Sequence, residues 1–125
     1  MDTMIAQLKT FAPEHAIIFI ADATRHGEIP IDTGAGPVTA TASCICVWTR
    51  MEADGGTTVK LAATFEQPDG NVVFDGVLET PGRQIGVFQT GREAVLSMPV
   101  RSSTTHVKVW TNDPSEPDLI LIQAQ

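Results

Sequence analysis

The chain reads as an all-β protein, a single-domain antiparallel β-sandwich of about eight strands spanning residues 1–125. Two observations predict this. Short runs of alternating apolar and polar residues recur along the chain, and clusters of Gly, Pro, Asn and Asp separate them at a spacing too short for βαβ units. The length, 125 residues at 42% hydrophobic content, suffices for one core and not for two domains.

The first strong run is HAIIFIAD, residues 15–22, which is apolar on both faces as a central strand is. VTATASCICVWT predicts one long strand over residues 38–49, with Ala42, Cys44, Cys46 and Trp48 on one face and Ser43, Ile45 and Val47 on the other. TTVKLAATFE turns Val59, Leu61, Ala63 and Phe65 inward against Thr58, Lys60, Thr64 and Glu66. QPDGN, with Pro68 and Gly70 at turn positions, is expected to close a hairpin onto VVFDGVLE. QIGVF, AVLSMPV, HVKVW and DLILIQ complete the strands. The N-terminus is ambiguous. Met4, Ile5, Leu8 and Phe11 fit a short helix capped by Asp2 or Thr3, which Pro13 would end.

Eight Lys and Arg against fifteen Asp and Glu leave a net charge of -7, which opposes contact with phosphate backbones and anionic lipid. Nucleic acid and membrane are therefore not expected partners; a basic protein is. No apolar stretch approaches the roughly 18 residues of a membrane span, and the start lacks a basic segment followed by an apolar one, so a soluble cytoplasmic protein is expected. The cysteine count, two, points to a reducing compartment.

Asp32-Thr33-Gly34-Ala35 spells the tetrapeptide of retropepsin-like aspartic proteases. Such chemistry needs two carboxylates sharing a proton, so a chain with one such motif would work as a homodimer. MEADGG would be its flap, and Ile85-Gly86 its apolar-glycine motif. The surroundings favour a plain glycine-rich connection. Pro30 interrupts the strand before Asp32, Gly36-Pro37 breaks the chain directly after the tetrapeptide, and Gln84 stands where an apolar residue is needed. Asp32 is thus the catalytic residue only of an alternative reading.

Cys44 and Cys46 share a strand face with Cα atoms about 6.6 Å apart, at the edge of disulfide geometry, and no further ligand pair accompanies them. They read as core thiols; no metal and no cofactor is expected. The segment from Asp22 to Asp32 gathers Asp22, Arg25, His26 and Glu28, which suits a solvated loop or, as a third reading, the mouth of a small-ligand site. His106, Lys108 and Trp110 share one face of a strand, where Trp110 is a candidate interface anchor. Asp113, Glu116 and Asp118 lie in a loop stiffened by Pro114 and Pro117, a form suited to docking on a basic surface.

The order of these features resembles the competence protein J family of small acidic bacterial proteins, which inhibit a partner nuclease. HAIIFIADATRHGEIP looks like the family's opening strand and proline turn, SCICVWT and TTVKLAATF like its central hairpin, and AVLSMPVRSSTTHVKVWTNDP like its terminal strands. Ile29-Pro30-Ile31 lacks the aromatic of the family's early turn, and no nuclease contact transfers to a position here. The resemblance implies a compact β fold and a non-enzymatic binding role, with a basic nuclease or toxin as partner. The candidate binding residues are Asp113, Glu116, Asp118, Trp110, Asp22 and His26.

Overall fold

A computed structural model describes residues 7–24, 37–90 and 94–125. They form ten strands in two five-stranded sheets: β1 (Gln7–Phe11), β2 (Ile17–Asp22), β3 (Val38–Ala40), β4 (Cys44–Trp48), β5 (Thr57–Ala62), β6 (Asn71–Glu79), β7 (Gln84–Phe88), β8 (Ala94–Pro99), β9 (Thr104–Thr111) and β10 (Leu119–Ala124). The orders are β1-β5-β10-β9-β6 and β3-β4-β2-β7-β8. Every pairing is antiparallel except β5 with β10.

The core lies between the sheets. Ile18, Ile20, Ile45, Val47, Ile85 and Val87 from one meet Val59, Leu61, Val107, Val109, Ile120 and Ile122 from the other, all fully buried. Each such side chain stabilises by about 1.5–3 kcal/mol relative to exposure. As the two-faced apolar run predicts, β2 is the middle strand of its sheet. Its alternate residues Phe19 and Ala21 join Cys44 and Phe88 in a second cluster on the outer face.

Ten strands replace the expected eight for two reasons. The run over residues 38–49 is not one strand, because Thr41 reverses it: its N–H donates to the Cys44 carbonyl at 2.8 Å, and its Oγ1 accepts from the N–H groups of Ser43 and Cys44. The N-terminal segment, where described, is a strand with period two. Phe11 packs on the core, Gln7 Oε1 accepts the Ser97 N–H from the other sheet at 3.0 Å, and Leu8 points outward at 58% exposure. Met4 and Ile5 lie outside the described residues.

The expected hairpin between β5 and β6 is absent. β5 pairs with β1 and β10, β6 pairs with β9, and two strands separate them. Residues 63–70 instead cross from the end of β5 to the start of β6 over the outer face of β10 and β9. Phe65, expected to face inward, rests on that outer face against Trp110, and its N–H donates to Gln123 Oε1 at 3.1 Å. Gly70 does take the positive φ that the turn chemistry anticipates, +91°, but at the end of a crossover.

Candidate interaction surface

The β9–β10 connection, residues 112–118, carries the acidic loop. Asn112 closes its base: Oδ1 accepts the N–H groups of Asp118 and Leu119, both at 3.1 Å, and Nδ2 donates to Asp118 Oδ1. Asp113 builds the turn above, where its Oδ1 accepts the N–H of Ser115 at 3.0 Å and of Glu116 at 2.9 Å. The Glu116 and then the Ser115 N–H hold the Asp113 carboxyl below its ordinary value.

The loop is also stapled to the body. The carbonyl of buried Pro117 accepts from the Arg50 N–H and the Thr57 hydroxyl, each at 3.1 Å, and the Asp118 carbonyl accepts the Thr58 N–H. Arg50 Nη1 stands 3.6 Å from Asp118 Oδ2, a solvent-exposed ion pair that contributes little by itself. Two of the three acids thus face their own loop. The Glu116 carboxylate is exposed and makes no hydrogen bond or ion pair with the described residues.

Trp110 stands on the predicted face with His106 and Lys108, yet only 7% of it is exposed. Phe65 meets it edge-on, and Lys108 Nζ lies 5.4 Å above its ring. The indole is a packing element of the outer face. His106 is the exposed member of the row, with Nε2 2.5 Å from Asp75 Oδ1 across the β6–β9 pair. That contact, first among the causes, holds the Asp75 carboxyl below its ordinary value. Asp75 escaped the sequence reading because β6 was expected to pair with β5.

Asp22 lies at the other end of the sandwich from the acidic loop. Thr49, next to Arg50, donates its N–H to Ala16 at the start of β2, whereas Asp22 ends that strand. It is 2% exposed, and its carboxylate accepts from the Thr24 N–H and hydroxyl and from the Gly82 N–H. A depression of about 500 Å³, lined by Met98, Val100, Arg101 and Ala124 among others, opens at this same end, and Asp22 does not line it. His26, Arg25, Glu28 and Asp32 lie outside the described residues.

Cys44 and Cys46 are buried and form no disulfide; the hydrogen bond between the two thiols, then burial, pushes the Cys44 thiol far above its ordinary value. Met51 to Gly56, the flap of the protease reading, includes a 3-10 turn, Glu52–Asp54, whose following Gly55 lies against the Arg50 guanidinium. Among the described residues no three His, Cys, Asp or Glu side chains gather as a metal site would need, and no helix is long and apolar enough to cross a membrane.

No known family model matches the sequence, and no curated protein does. Among solved structures the chain matches ComJ from Bacillus subtilis, the inhibitor of the DNA-degrading activity of NucA, with a TM-score of 0.65 over 98% of each chain at 9% identity. The fold is similar to that of ComJ. A second likeness, to the protein described as crocagin biosynthetic gene J, has a TM-score of 0.53 at 10% identity, over 97% of this chain and 96% of that one. The whole-chain resemblance read from the order of strands and turns therefore holds in three dimensions as one of fold, although SCICVWT and TTVKLAATF, expected to form a central hairpin, stand in different sheets as β4 and β5. At 9% identity the likeness to ComJ is one of fold, and no ComJ residue is carried to a position here.

Proposed function

We infer that this chain is a non-enzymatic protein-interaction module that inhibits a nuclease or another basic protein by covering a surface that otherwise holds phosphates. The observation that carries this reading is the fold likeness over 98% of the chain to a protein that inhibits a DNA-degrading activity. Charge supports it: at -7 the chain is repelled by nucleic acid and attracted to whatever binds nucleic acid. The acidic loop supports it further. Asp113, Asn112 and Asp118 hold the loop's shape before any partner arrives, so docking loses little entropy, and Glu116 is left to meet a cation.

The test is affinity capture of the tagged chain from its own lysate, elution by a salt ramp, and assay of the eluted partner on DNA. A basic nuclease released at moderate salt and inhibited on adding the chain back is the expected result. Glu116→Lys should weaken that inhibition about tenfold, since loss of an interfacial charge pair and its replacement by repulsion costs on the order of 1.4 kcal/mol or more. Peptide cleavage by the chain that disappears in Asp32→Asn would overturn the non-enzymatic reading, and so would a captured nuclease indifferent to the chain.

A further inference from the structure

β6, at nine residues, is the longest described strand, and it lies at the margin of its sheet. β9 holds one side of it; no described strand holds the other. Backbone direction alternates along a strand, so the residues that face β9 can be separated from those that face away. Glu79 turns its N–H away from β9, to the Ala42 carbonyl at 2.8 Å. Two and four residues earlier, Val77 and Asp75 direct their N–H and C=O groups to the same open side.

An unpaired row of this kind is a template for strand addition unless something blocks it. Here the edge is both sticky and selective. Val77 and Val72 are 62% and 47% exposed, two of the four large hydrophobic side chains exposed among the described residues. Asp75, Val77 and Glu79 share the outer face, opposite Lys108, His106 and Thr104 of β9. From Asp69 to Glu79 there is no Lys or Arg. A second copy of the chain would bring acid against acid along this edge, and like charges directly opposite are destabilising. A basic strand meets the opposite condition. Asp75 uses Oδ1 for His106, which leaves its other oxygen for an incoming cation. The margin also runs into the acidic loop, because Gly70 lies against the backbone of Thr111 and Asn112.

We propose that the edge of β6 up to Val77 receives an extended basic segment of the partner by strand addition, with Lys or Arg at position i opposite Asp75, an apolar residue at i+2 opposite Val77, and a second Lys or Arg at i+4 whose side chain reaches the exposed Glu79 carboxylate where the Ala42 carbonyl ends the pairing. This rests on the inhibitor reading for the partner's identity. It goes beyond that reading in placing backbone hydrogen bonds, and not charge alone, at the centre of recognition.

The probe is a synthetic peptide, Thr-Lys-Thr-Val-Thr-Lys-Thr, titrated into the full chain. Its control has the same side chains with alternate backbone nitrogens methylated, which keeps the charge and removes donors along one edge. The expected result is at least tenfold weaker binding of the methylated peptide and slowed amide exchange at Asp75 and Val77 in the complex with the unmodified one. Equal binding of the two peptides, or protection confined to residues 112–118, would overturn the proposal. Val77→Pro removes one outward donor and leaves the β9 ladder whole, so it should lose the peptide while keeping the fold. If Val77→Pro inhibits a captured nuclease as well as the wild type does, the edge is not the docking site and the inhibitor reading stands. If the wild type inhibits no nuclease yet discriminates the two peptides, the edge stands and the inhibitor reading fails.

Discussion

Phe65 meets Trp110 edge-on, with ring centroids 6.0 Å apart and planes at 80°. This contact ties the 63–70 crossover to the outer face of its sheet, and Lys108 closes the indole from above. Phe65→Ala should cost about 1–3 kcal/mol, combining a half-buried ring with the aromatic pair. It should also shift Trp110 emission to longer wavelength. Measured in a Trp48→Phe background, an unchanged emission maximum would show that something other than Phe65 shields the ring.

Why the crossover escaped the sequence is instructive. QPDG has the composition of a hairpin turn, and Gly70 does adopt a positive φ. Turn chemistry is local, however, whereas the choice of partner for β5 is made by β10, some sixty residues further on. The same reason hid the His106–Asp75 contact. What alternation could show, it did: the double-faced burial of β2, the inward Val59 and Leu61, and the buried cysteines are all consequences of period two. The acidic loop was legible as a loop between two strands. Its inward use of Asp118 was not, since that depends on where Asn112 and Arg50 fall in space. Trp110 shows the limit in another way, because a tryptophan on an outer face looks exposed until a distant segment is seen to cover it.

Asp22 is expected to matter for stability. Its buried carboxylate joins the end of β2 to Gly82, before β7, through the Gly82 N–H, and Thr24 supplies two more donors. Asp22→Ala removes the charged acceptor of the part-buried Gly82 N–H and of both Thr24 donors and should cost about 1–3 kcal/mol, with Asp22→Asn losing less because one acceptor remains. Urea unfolding of the two variants measures this. An Ala variant with the wild-type midpoint would remove Asp22 from the structural framework.

Acid should loosen the molecule through Asp75 and Asp113. Both carboxyls lie below their ordinary value of 3.8, Asp75 chiefly through His106 and Asp113 chiefly through the Glu116 N–H. A depressed folded-state pKa means that the unfolded chain takes up the proton first. The stabilisation is therefore full above pH 3.8 and is lost as pH falls through the lower folded values. Urea midpoints should drop as pH falls below about 3.8. Asp75→Asn and Asp113→Asn should each flatten that drop, and the double variant should flatten it more. A pH slope unchanged in the double variant would show that neither carboxyl contributes.

Gly70→Ala tests the junction between the crossover and the acidic loop. At φ +91° an L side chain is strained, and a Cβ there would overlap the Thr111 carbonyl oxygen and stand 3.2 Å from the Asn112 nitrogen. Neither is a flexible group, since both belong to the backbone that starts the loop. The substitution should cost about 1–3 kcal/mol and displace the Asn112 and Asp118 amide resonances, while those of Asp22 and Gly82 at the opposite end stay in place. A wild-type midpoint, or resonance shifts spread evenly over the molecule, would mean that the start of β6 moves without carrying the loop with it. Loop and edge strand would then not behave as the one continuous margin that their contact at Gly70 implies.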